Sequence, residues 1–552
     1  MTRIDGNTLV ARSLKEQGVD TMFGIVGFPV FALAAAAQRE GIRFIGMRNE
    51  QAASYAAGAV GYLTGRPGAC LTVSGPGVIH GLAGLANAQE NCWPMILIGG
   101  ASNSYQEGMG AFQEAPQVEL ARPYTKYSAR PDCAQRIPFY VEQAVARSIS
   151  GRPGATYLDL PDDFLNREID EEGILFPPRC ADPSRPQAAP VDVQRAIEVL
   201  RGAERPLVII GKGAAYSRAE SEVRAFIEAT QLPFLSSPMG KGVVPDEDPL
   251  SVAPARGLAL QDADVVLLLG ARLNWIMHYG LPPRFAADVK TIQVDIEEEE
   301  IGRNVPAEVG LVGDIRAVVT QLNEALHARP HRFPADAPWR AALGEKVAEN
   351  RDFVHGMMQD DTVPMGYYRV LREIQEQAPE GTIIQAEGAL TMDISRSVLM
   401  HDSPRLRLDA GSFGTMGVGL AQAIAAAAVH PDKKVICLEG DSAFGFSGME
   451  VETACRYQLP IVFVIVNNNG IGGGFDALPD DRFQAPPSAY TIEAGYEKMI
   501  EGFGGRGYQV RTPGDFSTAL EKALHDSMPS IINVLIDPRA RAKPQKHAWL
   551  TQ

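Results

Sequence analysis

At 552 residues the chain is too long for one hydrophobic core, and its 45% hydrophobic and 21% charged content is that of a globular protein of two to four domains. A net charge of −16 argues against nucleic acid as a partner, since phosphate binding needs clustered basic surface. Apolar stretches are short and broken by Gly, Pro or charge, so none is expected to cross a membrane.

The opening residues, Met1 to Gly6, carry no apolar secretory segment, and Ala548 to Gln552 is no peroxisomal Ser-Lys-Leu type address, so a cytoplasmic location is expected. Cys70, Cys92, Cys133, Cys180, Cys437 and Cys455 show no CxxC and no zinc spacing, and are read as buried thiols in a reducing compartment.

Short β-branched runs alternate with longer helical patterns, which predicts α/β architecture: three doubly wound, parallel-sheet domains. In the first domain, residues 1–170, Ala69–Val73 reads as a strand closed by Ser74-Gly75-Pro76-Gly77. A small-residue helix over His80–Asn91 and a strand over Pro94–Gly100 follow. A Pro-rich segment, Phe176 to Pro190, is a linker. The central domain, 190–325, carries strand patterns at Pro206–Gly211, Ala263–Gly270 and Thr291–Asp295, and Glu297–Glu300 reads as a solvated helix start. A hydrophilic joint from His327 to Asp361 leads to the last domain, 360–540, and a basic tail, 541–552, is a candidate lid. There, Gly417–Val429 is helical, Lys434–Leu438 a strand, Gly440-Asp441-Ser442 a turn, Met449–Tyr457 a helix and Ile461–Val466 a strand ending in Asn467-Asn468-Asn469-Gly470.

In open α/β sheets ligands sit beyond the carboxyl ends of strands. Asp441 and Asn468, 27 positions apart, end two strands separated by one helix, so both reach one rim. A carboxylate, an amide oxygen and a backbone carbonyl are hard donors suited to Mg²⁺ or Ca²⁺, and the small residues beside Asp441 let backbone N–H groups approach a phosphate. The predicted chemistry is a metal bridging a diphosphate to the protein.

This combination resembles the binding motif of the thiamine-diphosphate enzymes. The resemblance implies Asp441, Asn468 and Gly470 as Mg²⁺ ligands, and Gly440, Ser442, Ala443, Ala389, Leu390 and Ile471 along the cofactor. Gly411 to Gly417 resembles the supporting stretch, where the Gly414 carbonyl would accept from the 4′-amino group and Met416 would prop the two rings into a bent shape; by itself Met416 reads equally as plain core. Arg48-Asn49-Glu50-Gln51 resembles the start of the family's activating helix, with Glu50 bonded to the aminopyrimidine N1′. On its own, a glutamate there is an ordinary dipole partner. Gly110–Glu114 resembles the family's Phe-Gln-Glu loop, with Gln113 facing the reacting carbon.

Along almost the whole chain the resemblance narrows to oxalyl-CoA decarboxylases and 2-hydroxyacyl-CoA lyases, and segments such as Gly77–His80 and Asn91–Pro94 lean toward the lyase. It implies cleavage of a 2-hydroxyacyl-CoA to formyl-CoA and an aldehyde or ketone, with oxalyl-CoA decarboxylation as the alternative and a non-catalytic relative disfavoured by Glu50. It further implies an acyl-CoA thioester as partner, a homo-oligomer built as a dimer of dimers, and an ADP in the central domain contacted by Arg152, Lys212, Arg272 and Asp295. Arg152 and Arg272 read equally as surface ion pairs. Relatives carry Tyr where this chain has Gly472, which predicts a roomier pocket. The segment Phe475–Gly495 is a candidate lid, with Glu493 either an acid/base group or a plain loop carboxylate.

Overall fold

The computed structural model describes residues 3–543. Apolar, β-branched runs form three parallel sheets covered by helices. The N-terminal sheet is ordered Arg43–Gly46, Thr21–Gly24, Gly68–Thr72, Met95–Ala101, Ala155–Pro161, Tyr127–Ala129. The C-terminal sheet is ordered Arg407–Asp409, Ile383–Glu387, Val435–Gly440, Ile461–Asn467, Ser530–Leu535, Arg506–Val510. Counted within each domain, both follow the strand order 2-1-3-4-6-5. The central sheet runs Phe234–Ser236, Pro206–Ile210, Val265–Leu269, Lys290–Asp295, Ala307–Val312, the order 2-1-3-4-5. In all three the strand order reverses between the first and third strands, which run parallel, and their carboxyl ends form a crevice there.

The helix Glu50–Thr64 is Ala- and Gly-rich and buried from Ala52 to Leu63. Buried all round, it packs on the helix Pro76–Asn91 and on Gly419–Val429 of the C-terminal domain. Small residues permit this approach: a Cβ at Gly84 would lie 2.1 Å from the Ser54 hydroxyl. One apolar cluster therefore spans the N- and C-terminal domains, while the central domain keeps its own.

Several sequence expectations need correction. Gly440-Asp441-Ser442 is no simple turn, because Asp441 opens a helix to Ser447; Gly, Asp and Ser serve both turns and helix starts. The joint after His327 contains a 21-residue helix, Pro338–Met358, whose Trp339 and Leu343 bury against the central domain. Glu298–Glu300 forms a single 3-10 turn, but the Glu300 side chain is 9% exposed and paired with Arg152 rather than solvated. Cys92, Cys133 and Cys180 are only partly buried, unlike Cys70, Cys437 and Cys455. Of the basic tail only residues to Lys543 lie within the described part, and the rest of that expectation falls outside it. Among the described residues no helix is long and apolar enough to cross a membrane.

Candidate active site

Two helix starts meet at the crevice of the C-terminal sheet. Strand Ile383–Glu387 passes through Gly388, at φ +100°, into the helix Ala389–Val398, and the neighbouring strand Val435–Gly440 passes directly into Asp441–Ser447. Neither helix has an N-cap side-chain bond, so N–H groups at Ala389, Leu390 and Ala443 can meet an anion. Strand Ile461–Asn467 lies on the far side of Val435–Gly440 and delivers Asn468 to the same rim.

Asp441 and Asn468 converge. The Gly470 N–H donates to both Asp441 Oδ2 (3.1 Å) and Asn468 Oδ1 (3.2 Å), and Ser442 N–H donates to Asp441 Oδ1 at 2.9 Å. Asn468 is oriented by donating its amide to the Tyr367 hydroxyl and the Gly472 carbonyl, both at 3.2 Å. Burial pushes the Asp441 carboxyl up to about 6, against the pull of those N–H donors. A buried carboxylate, an amide oxygen and a Gly470 carbonyl that accepts from no described residue fit a hard divalent cation.

The stretch Gly411–Gly417 lies beside this rim. Glu387, fully buried, accepts from Gly417 N–H (2.5 Å) and Gly419 N–H (2.6 Å) and so anchors the end of the loop that carries Gly414 and Met416. Burial raises its carboxyl to about 7, and the neighbouring Glu439 is raised further by burial and by Glu387. Sequence reasoning missed Glu387; the signal was a carboxylate closing the short strand Ile383-Ile384-Gln385-Ala386. Glu387→Ala would strand two buried N–H groups, at about 2 kcal/mol or more together. The expected result is a thermal midpoint several degrees lower, read by differential scanning calorimetry.

Glu50 is the first residue of its helix, behind the N-cap Asn49, whose side chain accepts from Gln51 N–H at 2.7 Å. Its side chain is 15% exposed, with Oε2 3.1 Å from His80 Nδ1. The turn before it is held by Glu450 of the C-terminal domain, another residue not foreseen, which accepts from Arg48 N–H at 3.0 Å. Gln113 sits at φ +56° and accepts from the Ser74 hydroxyl at 3.2 Å. Its loop is gathered by Glu114, whose carboxylate accepts from the N–H groups of Gly108, Ala111 and Gly110 and is held below its usual range by them. Phe112, exposed, meets Phe28 edge-on at 5.9 Å.

The segment Phe475–Gly495 is largely irregular but anchored on the Asn467–Gly470 loop. Tyr490 N–H donates to the Asn469 carbonyl, Glu493 N–H donates to Asn469 Oδ1 (2.7 Å), and the Tyr490 hydroxyl lies 3.1 Å from Ser442 Oγ. Glu493 thus shares the rim with Asn468, yet its carboxylate is engaged by both Arg511 nitrogens at 2.5 and 2.6 Å. Ile471 is half exposed, and a Cβ at Gly472 would meet nothing within 4 Å, so the space left by a missing side chain stays open.

The four candidate contacts for the central-domain site, of which Arg152 comes from the N-terminal domain, divide in two. Lys212 and Arg272 follow the first and third central strands and line one cleft with Gly270, Ser237 and Ser412. Gly211 and Gly270 touch there, since a Cβ at Gly211 would fall 2.0 Å from the Gly270 carbonyl. Arg152 and Asp295 do not line that cleft; they pair with each other at 2.9 Å, and Arg152 also holds Glu300 at 3.0 Å. Arg272 likewise reaches the Glu90 carboxylate at 3.4 Å, so both arginines are ion-paired.

With this geometry in place, the comparisons define a class. The models described as thiamine pyrophosphate enzyme, N-terminal TPP binding domain, central domain and C-terminal TPP binding domain match residues 4–120, 193–322 and 387–534. The chain is 53% identical to 2-hydroxyacyl-CoA lyase 1 of Mus musculus and 52% to that of Homo sapiens, over 100% of this chain and 97% of each relative. It is 42% identical to oxalyl-CoA decarboxylase of Escherichia coli (strain K12), over 97% of this chain and 95% of the relative. The chain belongs to the thiamine pyrophosphate enzymes, in the branch that holds 2-hydroxyacyl-CoA lyases and oxalyl-CoA decarboxylases.

Proposed function

We propose that this enzyme is a carbon–carbon lyase that cleaves a 2-hydroxyacyl-CoA to formyl-CoA and an aldehyde or ketone. The observation that carries the reading is full-length identity of 53% to a 2-hydroxyacyl-CoA lyase, against 42% to an oxalyl-CoA decarboxylase. Thiamine diphosphate, when bound, supplies the carbon nucleophile and electron sink that breaking a bond next to a carbonyl requires. Asp441, Asn468 and the Gly470 carbonyl would hold Mg²⁺ beside its diphosphate, and the helix starts at Ala389 and Asp441 would offer it N–H donors. Glu50 would hold a proton at the aminopyrimidine N1′. The Gly414 carbonyl and Met416 would support the cofactor rings, and Gln113 would face the reacting carbon.

In the overall conversion the 2-hydroxyl loses its proton, the C1–C2 bond breaks, and a proton returns to C1. Glu493, whose carboxylate Arg511 holds at the same rim, is the candidate acid/base group for these proton transfers. Glu493→Gln should lower kcat about 100-fold while KM changes little, measured by initial rates. The open space at Gly472 favours branched substrates that yield a ketone.

We further assign the enzyme as a dimer of dimers, each site joining Glu50 of one subunit to the Asp441 set of another. Phe31, Ile79 and Phe112 near the first group and Phe413, Phe446 and Ile471 near the second are exposed in the single chain, which supports burial by a second copy. The cleft of Lys212 and Arg272 accepts ADP in this reading, with Arg152 and Asp295 re-paired toward it. Burial lowers the Lys212 ammonium to about 8. A phosphate beside it would favour the charged form and raise that value. Binding therefore takes up a proton, and affinity falls as pH rises through about 8, which calorimetric titration in buffers of different ionisation enthalpy will register.

The deciding experiment supplies the holoenzyme with a panel of 2-hydroxyacyl-CoAs and with oxalyl-CoA, and identifies products by mass spectrometry. Formyl-CoA with an aldehyde or ketone is expected. Formyl-CoA and CO₂ from oxalyl-CoA alone would assign the protein to the decarboxylases.

A further inference from the structure

The loop Gly411–Gly417 is backbone-permissive, with Gly411, Gly414 and Gly417 at φ +65°, +66° and +85°. Such a loop does not hold Gly414 and Met416 in place by itself. Asp409 and Glu387 of its own domain hold its two ends, at Gly411 and Gly417, and its middle is restrained by the other two domains. From the central domain, Trp275 Nε1–H donates to the Ser412 carbonyl at 2.7 Å, its ring reaches within 4.0 Å of a Cβ built at Gly414, and Arg272 donates to Ser412 Oγ at 3.0 Å. From the N-terminal domain, Asn91 Oδ1 accepts from Ser412 N–H at 2.8 Å, and Asn87 Nδ2 donates to Thr415 Oγ1, also at 2.8 Å. Asn87 and Asn91 lie one turn apart on the helix Pro76–Asn91 and are linked at 3.3 Å, so they act as one unit. Lys212 and Arg272 bind the neighbouring Asn91 and Glu90 carbonyls at 2.5 and 2.7 Å, closing a three-domain junction over the loop.

We propose that Trp275 and Asn87 are positioning residues that clamp the cofactor-supporting loop, so that docking of the central and N-terminal domains sets how well bound thiamine diphosphate is activated. The proposal rests on the reading of Gly414 and Met416 as cofactor supports, and not on the identity of the acyl-CoA substrate. Neither residue needs to touch the cofactor; each acts through the main chain or Thr415. Each bond is worth about 0.5–1.5 kcal/mol, which corresponds to about a two- to tenfold effect on a step that needs the loop in register.

The test measures exchange of the thiazolium C2 proton for deuterium in the holoenzyme, together with the thiamine diphosphate dissociation constant, using no acyl-CoA. A wrong substrate assignment therefore leaves it untouched. Thr415→Val is nearly isosteric and removes only the hydroxyl, Thr415→Ser restores it, and Trp275→Phe removes the indole N–H. Slower exchange by about two- to tenfold is expected in Thr415→Val and in Trp275→Phe, with recovery in Thr415→Ser and a thermal midpoint within a few degrees of the parent. With substrate the loss should fall on kcat and not on KM. Exchange and cofactor affinity both unchanged in Thr415→Val would overturn the proposal. So would an equal loss in Thr415→Ser, since that would trace to packing and not to the bond. Should Trp275→Phe fail to fold, the two Thr415 variants decide the question alone.

Discussion

Replacing Glu50 by Gln is expected to lower kcat by about 10²–10⁴-fold, the range that positioned proton transfer contributes. The amide keeps the size of the side chain and can still meet the aminopyrimidine, so the dissociation constant of thiamine diphosphate should move less than about tenfold. Fold should be unaffected, because Glu50 is the first residue of its helix and the buried face begins at Ala52. His80 Nδ1, 3.1 Å from Glu50 Oε2, can pair with an amide oxygen as well as with a carboxylate oxygen. The measurements are initial rates, cofactor titration and a circular dichroism spectrum on the same preparation. Near-normal turnover in Glu50→Gln would remove the activating acid from the mechanism, and with it the reading of this helix as the catalytic one.

What the sequence made legible was the set of strand ends, where side-chain chemistry and element order coincide. Asp441 and Asn468 could be paired because only one helix and one strand separate them, and the structure brings both onto the Gly470 N–H. The three-sheet architecture was likewise readable from alternating apolar runs. The shared strand order of the outer domains was not, since identical topology leaves no short-period repeat in the residues. Contacts between domains were illegible for a related reason. Ser412 and Asn91 are 321 residues apart, and Arg152 and Asp295 are separated by 143. Nothing local marks an asparagine at a helix end, or a tryptophan beside Asn274, as the holder of a distant loop. Glu387 was hidden differently: a strand that ends in a carboxylate resembles any exposed strand end until its neighbours bury it. The turn that proved to be a helix start, Gly440-Asp441-Ser442, shows the limit of local chemistry, because a free backbone N–H suits both conformations.

Removing the charge at Asp441 tests the other half of the site. Asp441 is buried, and among the described residues its hydrogen-bond partners are backbone N–H groups, with no arginine or lysine paired to it. A carboxylate so placed carries a desolvation cost that a divalent cation would offset. Altering groups that merely orient a metal ligand costs about 10–100-fold in affinity, so Asp441→Asn, which alters the proposed ligand itself, should weaken Mg²⁺-dependent cofactor binding by at least about 100-fold. The metal-free protein should tolerate the change. The amide removes the buried charge but turns one N–H donor toward Gly470, two effects of opposite sign, so its thermal midpoint should stay within a few degrees of the parent. The difference appears on loading. A ligand that binds only the folded state at about 100 times its dissociation constant stabilises it by about 2.7 kcal/mol. Mg²⁺ with thiamine diphosphate should therefore raise the midpoint of the parent and leave Asp441→Asn unmoved at the same concentrations. An equal rise in both proteins would mean that the diphosphate is held by the helix starts alone, and that the cation lies elsewhere or is not needed.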